Sequence, residues 1–267
     1  MTGRTEIAVA VGALLCFVYW FFLRPSGTST TMSVDDEKTF DTGLLDKAKS
    51  ASKSVQTKIS HTSVSVDGKV LKVYYLEAIP SLSPHKGTFL LLHGMASNAD
   101  GTADVWKEKD TLQILTAAGY RVVAPDLPGT PMSRTDTSTL SEEVKAEFVQ
   151  AFMKSTHIEK AVIVGASWGG TFTIPLLVLH PKLFRAFIAV APVGSDRFGP
   201  AQYSQIQVPT LCIHGEFDYA LGEGPYQNLK PLPHLKRVVV RKAGHAVFQE
   251  QPDPFHSALL NYLNSVL

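Results

Sequence analysis

The residues Gly165-Ala166-Ser167-Trp168-Gly169 directly follow the apolar run Ala161-Val162-Ile163-Val164 and precede a stretch with helical character. A strand, then G-x-S-x-G, then a helix is the pattern of a nucleophile elbow, whose sharp turn pushes the serine hydroxyl clear of the sheet. Larger side chains two residues to either side would collide in so tight a turn, which accounts for Gly165 and Gly169. The pattern therefore predicts that Ser167 is a nucleophile.

Two later loops supply the groups that a serine nucleophile needs. One predicted strand ends at Gly215 and leads to Asp218, and another ends at Val240 and leads to His245. A serine hydroxyl reacts only when a neighbouring imidazole takes its proton, and a buried carboxylate must orient that imidazole. Serine, acid and histidine in this chain order are typical of α/β-hydrolases, in which such loops converge on one edge of the sheet. We expect Ser167, His245 and Asp218 to form a triad there.

Other residues compete for two of these roles. Glu216 lies two residues before Asp218 and is a rival acid, while Asp218 would otherwise cap a helix or lie in a solvated turn. His256, in a predicted helix, and His234, in a loop, are rivals of His245. The Ala-Gly-His step straight after a strand favours His245, and the match of its position to the hydrolase pattern favours Asp218.

An oxyanion hole is predicted from two backbone amides. In this arrangement one amide belongs to the residue after the nucleophile, here Trp168, and the other to the loop after an early strand. Residues 88–92 form such a strand, and His93-Gly94-Met95 follows it. The second donor is Met95 or Ala96, and the sequence leaves both open. His93 is expected to organise this loop rather than to transfer protons.

The site is expected to lack a lid. Only about fifteen residues separate Pro192, at the end of one predicted strand, from Val208, at the start of the next. A lid domain does not fit there, so the site should be shallow, which argues against a lipase for long-chain triglycerides. Trp168, Phe217 and His93 are candidates to line a small acyl pocket, and the alternative for each is packing within the protein.

Composition is that of an ordinary globular enzyme. The 267 residues are 45% hydrophobic and 18% charged, and the formal net charge is +1. Without a basic bias, nucleic acid is not an expected partner. Cys16 and Cys212, the two cysteines, offer no disulfide framework, and no C-x-x-C or H-E-x-x-H spacing indicates a metal.

Residues 1–24 are predicted to form an N-terminal membrane anchor. The segment from Ile7 to Leu23 carries no charge, and Arg24 follows it. Its 17 residues lie at the short limit for a spanning helix and exceed the roughly 7–15 residues of a signal-peptide core. We expect a single-pass anchor with a cytoplasmic N-terminus. The alternative is a signal cleaved near Gly27-Thr28-Ser29, which would make the protein secreted or lumenal.

A flexible linker is predicted over residues 25–57, because Ser, Thr, Lys and Asp dominate it without sustained apolar periodicity. A short helix at residues 44–48 is compatible with this pattern. The enzyme domain is predicted over residues 58–267, where Ser60 begins an alternating strand and Asp67-Gly68 makes a hairpin turn.

Strands and helices alternate through this domain. Helices are predicted over residues 111–118, over 140–154 with Ser141 at the start, and from about 254 to 267, with strands at 121–124 and 186–191 between them. This alternation predicts an α/β fold, with a mostly parallel, doubly wound sheet and helices on both faces. Together with the motifs above, it indicates the α/β-hydrolase fold.

Several further segments resemble one hydrolase group, the α/β-hydrolase domain-containing protein 14 family. Pro175, inside a predicted helix eight residues after Ser167, is similar to a proline of that family. The remaining similar segments are residues 118–129, Ala191-Pro192-Val193, Tyr203, Val208-Pro209-Thr210-Leu211 and Lys242-Ala243-Gly244-His245. The resemblance extends from about residue 59 to the C-terminus, and the apolar N-terminus resembles the membrane-anchored A form, whereas the B form is soluble.

The resemblance implies Ser167 as nucleophile, Asp218 as orienting acid and His245 as base, acting on small acyl groups such as acetyl esters or thioesters. The soluble form is linked to removal of acetyl groups from protein lysine, with coenzyme A as the acyl acceptor, and to a transcription-factor partner. We therefore expect no bound cofactor, with coenzyme A as an alternative acceptor to water, and no protein partner is identified. A non-catalytic scaffold on the hydrolase fold and a related peptidase or perhydrolase are the alternatives.

Overall fold

A computed structural model of the chain describes residues 41–81, 83–95, 102–130 and 140–267. The strands are β1 Lys58–Val66, β2 Lys69–Ala78, β3 Thr88–Leu92, β4 Arg121–Pro125, β5 Ala161–Ala166, β6 Phe184–Val190, β7 Thr210–Gly215 and β8 Leu235–Val240. The α-helices are α1 Thr42–Ser52, α2 Thr111–Ala117, α3 Glu142–Ser155, α4 Gly170–Leu179, α5 Pro200–Tyr203, α6 Glu223–Leu229, α7 Val247–Glu250 and α8 Pro252–Val266.

The predicted anchor, the linker as far as residue 40, and Ala96 lie outside the described residues. Among the helices that the structure does describe, none combines the length and the apolar character needed to cross a bilayer.

The eight strands form one sheet in the order β1-β2-β4-β3-β5-β6-β7-β8. The β1–β2 hairpin and the β2–β4 pair are antiparallel, and every pair from β4 to β8 is parallel. The hairpin turns at Asp67 and Gly68, which have φ values of 48° and 70°, as the Asp-Gly pair indicates. The mostly parallel α/β sheet predicted from the sequence is therefore confirmed.

Helices cover both faces of this sheet. Successive side chains of a strand point to opposite faces, so Phe89 and Leu91 of β3 join one core and Leu90 and Leu92 join the other. The first core is completed by α1, α2, α7 and α8, and the second by α3, α4, α5 and α6. All of β3 is buried, which explains why its sequence is a continuous apolar run.

Two local features agree with what the sequence predicted for individual helices. Helix α3 begins after Ser141, whose hydroxyl accepts a hydrogen bond from the amide of Val144 at 3.3 Å. Glu142 and Glu143 lie in its first turn, where the helix dipole favours negative charge. Pro175 lies inside α4, as the resemblance implied.

Part of the predicted linker belongs to the folded domain. Residues 42–52 form α1, whose Leu45 and Ala48 are buried in the core that α8 completes. Asp41 exchanges two hydrogen bonds with Asn261 of α8, each of 3.1 Å. The boundary predicted at residue 58 is thus corrected, since the domain includes residues from Asp41 onward. Lysine and aspartate on the exposed side of α1 lie between its buried apolar residues, so the sequence shows no sustained apolar periodicity there.

The connection from β6 to β7, residues 191–209, is short, as predicted. It contains the four-residue helix α5, and the Tyr203 hydroxyl ties it down by donating to the Ser195 carbonyl at 2.8 Å. No lid domain is inserted between these strands, so nothing in this segment encloses the edge of the sheet above β5.

Candidate active site

Ser167 sits on the sharp turn between β5 and α4. Its φ is 48°, the left-handed region that non-glycine residues rarely adopt. A β-carbon at Gly165 would collide with the side chain of Thr173, and one at Gly169 would lie 2.6 Å from the Leu92 carbonyl oxygen. Both glycines are therefore needed for the close packing that the elbow requires.

The structure brings the three predicted triad residues together. The Ser167 hydroxyl oxygen lies 2.8 Å from Nε2 of His245, and Nδ1 of the same imidazole lies 2.7 Å from Oδ2 of Asp218. The three residues come from the loops after β5, β8 and β7, which are parallel strands whose carboxyl ends meet at one edge of the sheet. The arrangement can pass the serine proton to the imidazole while the carboxylate orients the ring.

Asp218 is the buried end of this relay, with a side chain that is 2% exposed. Burial by itself raises the pKa of a carboxyl, but hydrogen bonds from His245 and from the Leu221 amide outweigh it and hold the pKa of Asp218 below its ordinary value. The group is therefore an anion at neutral pH, as an orienting carboxylate must be.

The alternatives to Asp218 and His245 have other hydrogen-bond partners. The Glu216 carboxylate accepts a hydrogen bond from the Lys242 amide at 2.9 Å instead of facing His245. His256 is buried in α8 against the Thr111 hydroxyl, at 2.8 Å, and His234 contacts Gln207 at 3.1 Å. None of the three is hydrogen-bonded to Ser167 or His245.

The two predicted oxyanion donors belong to segments next to the nucleophile. Trp168 follows Ser167 in a 3₁₀ turn that continues into α4, and the first amides of a helix have no partner within it. Across from it, a β-carbon at Gly94 would lie 3.1 Å from Cβ of Ser167, so the loop carrying Met95 passes directly over the serine. Because Ala96 lies outside the described residues, the choice between Met95 and Ala96 stays a prediction.

His93 holds this loop in place. Nδ1 donates to the Gly94 carbonyl at 2.8 Å, and Nε2 accepts from the Leu127 amide at 3.0 Å. Burial lowers the pKa of His93 to about 4, so the ring is neutral at physiological pH. The ring is 1% exposed and both nitrogens are occupied, which makes His93 an organiser of the loop and corrects its assignment as a pocket residue.

The two aromatic candidates for a pocket differ. The Trp168 side chain packs against the core and meets Phe172 edge-on, with ring centroids 5.3 Å apart. Phe217, beside Asp218, is 50% exposed, and Met95 across the site is 73% exposed. The partly buried Trp168 ring thus packs on the core, whereas Phe217 and Met95 present exposed apolar surface, and the pocket role of Trp168 and Phe217 stays a prediction.

A further group of hydrogen-bonded residues lies next to the loop that carries Asp218. His214, on β7, accepts hydrogen bonds from the Arg237 guanidinium at 2.8 and 3.1 Å. Arg237 also donates to Glu223 at 2.7 Å and stacks over the Tyr226 ring at 4.2 Å. Burial lowers the pKa of His214, so a neutral ring accepts from the arginine. Gly222 passes so close that a β-carbon there would lie 2.8 Å from Nδ1 of His214.

Sequence reasoning missed these supports and also missed Glu250, which contacts the loop of His245. The contacts join β7, β8 and α6, so no local pattern reveals the arginine network. Glu250 does carry a local signal, because it lies five residues after His245 within the following helix. Among the described residues, no cluster of three His, Cys, Asp or Glu side chains is arranged to hold a metal.

Comparison with known proteins agrees with this geometry. Residues 87–203 match the family described by the α/β hydrolase fold. A predicted CIB-like hydrolase from Thermoplasma acidophilum superposes with a TM-score of 0.68 at 23% identity, covering 79% of this chain and 100% of that one. This likeness confirms the predicted α/β-hydrolase fold.

Relatives at higher identity define the group more narrowly. ABHD14B of Rattus norvegicus, provisionally described as a protein-lysine deacylase, is 30% identical over 211 residues, covering 78% of this chain and 97% of that protein. ABHD14A of Danio rerio is 30% identical over 272 residues, covering 98% of each chain. The chain therefore belongs to the ABHD14 family of the α/β-hydrolase superfamily.

Proposed function

We propose that this protein is a serine hydrolase that cleaves small acyl esters or thioesters, acetyl groups in particular, through an acyl-enzyme on Ser167. The observation that carries the proposal is the unbroken relay from the Ser167 hydroxyl through His245 to Asp218, with contacts of 2.8 and 2.7 Å. Membership of a hydrolase superfamily supports the same reaction class.

The reaction begins when His245 Nε2 takes the proton of Ser167 as its oxygen attacks the acyl carbonyl. Asp218 stabilises the imidazolium that forms, and the amides of Trp168 and Met95 donate to the oxyanion. His245 then protonates the leaving alcohol or thiol, which leaves the acyl group on Ser167. Water attacks this ester while His245 takes the proton of the water, and His245 then gives that proton to the Ser167 oxygen as the acyl bond breaks, which releases the carboxylic acid and the free serine.

The surroundings of the serine favour small acyl groups. The β6–β7 connection carries no lid, and Met95, in the loop next to Ser167, and Phe217, beside Asp218, offer exposed apolar surface. An enclosed apolar cleft is what a long acyl chain needs for binding. We therefore expect acetyl and butyryl esters to be better substrates than octanoyl esters.

A second candidate is removal of acetyl groups from protein lysine with coenzyme A as acceptor, which the similarity to ABHD14B favours. In that reaction the amide bond between the acetyl group and the lysine nitrogen breaks, and the acetyl group passes through Ser167 to the thiol sulfur. The thiol proton ends on the lysine amine. Coenzyme A would then replace water in the second half of the reaction.

The decisive experiment compares the full chain, purified in mild detergent, with its Ser167→Ala variant. Both are treated with a fluorophosphonate probe and with p-nitrophenyl acetate, butyrate and octanoate. We expect labelling and ester hydrolysis in the wild type only, with kcat/KM falling as the acyl chain lengthens. A folded wild type that neither labels nor hydrolyses would favour the non-catalytic scaffold.

An acetyl-lysine peptide, with and without coenzyme A, separates the two candidates. Acetyl-coenzyme A formed by the wild type and absent from Ser167→Ala would establish the transfer reaction. Ester hydrolysis without that product would leave water as the acceptor.

A further inference from the structure

We infer that Glu250 is a positioning residue for His245, holding the loop that carries the imidazole by accepting hydrogen bonds from the backbone on both sides of it. Oε2 lies 2.7 Å from the Gly244 amide, and Oε1 lies 3.1 Å from the Ala246 amide. Between these two amide nitrogens the chain passes through Gly244 and His245. The inference rests on the proposed role of His245 as the base.

The start of the loop is fixed by the Ala243 carbonyl, which accepts from the Phe217 amide at 2.8 Å, and Glu250 holds the part that carries the imidazole. The His245 side chain is 42% exposed and reaches Ser167 and Asp218 by one hydrogen bond each. Lys242, three residues earlier, has a φ of 59°, and Gly244 has the wide conformational freedom of glycine. Glu250 holds the peptide that precedes Gly244 and the peptide that follows His245, which limits how the Gly244-His245 segment and its imidazole can turn.

Glu250 can act as this support because its own backbone is held firmly. It ends α7, and its amide donates to the Ala246 carbonyl at 2.9 Å. Val247 and Phe248 of the same helix are buried, and Phe248 stacks on Trp106 with ring centroids 4.6 Å apart. The carboxylate therefore links a buried helix to an exposed catalytic loop.

Both carboxylate oxygens are needed. Each accepts one amide hydrogen, and a hydrogen bond to a charged acceptor is stronger than a neutral one. A glutamine at this position has the same shape but offers one acceptor oxygen and turns its NH₂ group toward the other amide. Glu250→Gln thus breaks the support on one side of His245 with little change in volume.

Glu216 provides a matched control. Its carboxylate also accepts a backbone amide of this loop, that of Lys242, at 2.9 Å, but on one side only and three residues before His245. Glu216→Gln makes the same change of charge beside the same loop, but its remaining carbonyl oxygen can still accept the one Lys242 amide.

The test measures kcat and KM for p-nitrophenyl acetate with the full-length wild type, Glu250→Gln and Glu216→Gln, normalised to the folded fraction from near-ultraviolet circular dichroism. Misplacing a reacting group by about 1 Å costs on the order of 100-fold in rate, so we expect Glu250→Gln to lower kcat by roughly 10- to 100-fold. KM should stay within about twofold, because Glu250 does not contact the substrate, and Glu216→Gln should keep its kcat. A Glu250→Gln variant with the kcat of the wild type overturns the inference.

A second readout does not depend on turnover. The proton between Nδ1 of His245 and Asp218 should give a low-field proton NMR signal in the wild type and in Glu216→Gln, and the signal should broaden or vanish in Glu250→Gln. If the wild type hydrolyses no ester, the proposed function fails while this signal still reports on the position of the ring. An unchanged signal in Glu250→Gln overturns the inference on its own.

Discussion

Ser167 adopts a left-handed backbone conformation, with a φ of 48°, and its neighbours show what that conformation requires. The two outer glycines of the motif face different obstacles. A β-carbon at Gly165 would meet the side chain of Thr173, whereas one at Gly169 would meet the carbonyl oxygens of Leu92 and His93, at 2.6 and 2.7 Å. A side chain can be shortened or can turn away, but the carbonyls belong to the backbone that leads into the oxyanion loop.

We predict that this difference appears in a double-mutant cycle. Gly165→Ala and Gly169→Ala should each destabilise the fold by about 1–3 kcal/mol, the usual range for overpacking, with Gly169→Ala the larger. Adding Thr173→Ala should recover part of the loss in Gly165→Ala and none in Gly169→Ala. Urea unfolding of the full chain measures these free energies, and equal recovery in both backgrounds would contradict the assignment of the obstacles.

The choice of acid leads to a second prediction at this scale. Asp218→Asn should lower kcat by about 10⁴-fold, because the amide no longer accepts from Nδ1 of His245 and favours the wrong imidazole tautomer. Glu216→Gln should change kcat little, because Glu216 accepts the Lys242 amide and does not contact the imidazole. Steady-state hydrolysis of p-nitrophenyl acetate measures both. The opposite pattern, with Glu216→Gln inactive and Asp218→Asn unaffected, would make Glu216 the acid.

How far the site is predictable depends on how local its signals are. Ser167, Asp218 and His245 each follow an apolar strand, so position along the chain is enough to nominate them. His214, Arg237 and the Glu250 contacts are brought together by the packing of separate elements, and no short motif contains them.

Among the secondary-structure elements, the central strands have a local sequence pattern that predicts them, whereas helix α1 depends on a distant partner. Strands β3 and β5 are buried on both faces and read as apolar runs, so their positions are predicted to within about two residues. Helix α1 buries Leu45 and Ala48 on one side and exposes lysine, serine and aspartate on the other. Its apolar face consists of only two or three residues. The helix against which this face packs, α8, lies about 200 residues away in the sequence.

Two adjacent leucines test whether α1 is part of the domain. Leu45 is buried in the core, while Leu44 is only partly buried at its margin. We predict that Leu45→Ala destabilises the full chain by about 2–4 kcal/mol, the range for deleting a buried leucine, and that Leu44→Ala costs less than half as much. Urea unfolding again gives both values. A flexible tether would predict no effect from either substitution, and that result would remove α1 from the folded domain.

At the scale of the whole molecule, burial of titratable groups couples the stability of the fold to pH. Burial lowers the pKa of His93 and of His256 to about 4, from an ordinary 6.5. Burial raises the pKa of Asp126 to about 6, from 3.8. His93 and His256 lie in different parts of the fold, one under the oxyanion loop and the other in α8 against Thr111, so their effects should add.

The sign of the pH dependence follows from where each proton binds. Between pH 6.5 and 4 the unfolded chain binds protons at His93 and His256 that the folded chain does not, so acidification removes stability there. The lowered pKa of His214 acts in the same direction. Asp126 acts in the opposite direction, since the folded state takes up its proton at about pH 6 and the unfolded state only near 3.8. The lowered pKa of Asp218 matters only below its ordinary value of 3.8, outside this interval.

We therefore predict a net loss of stability between pH 7 and pH 5. At about 1.4 kcal/mol per pKa unit, His93 and His256 each remove roughly 2 kcal/mol at pH 5 and Asp126 returns a little over 1 kcal/mol, which leaves a loss of about 2–3 kcal/mol, to which His214 adds. His256→Gln removes one titrating group outside the active site, so its stability should fall by roughly 2 kcal/mol less than that of the wild type over the same interval, whatever the variant costs at pH 7. Urea unfolding of both proteins at pH 7 and pH 5 measures this difference. An identical pH dependence in the two proteins would mean that His256 takes up its proton equally well in the folded and unfolded chains.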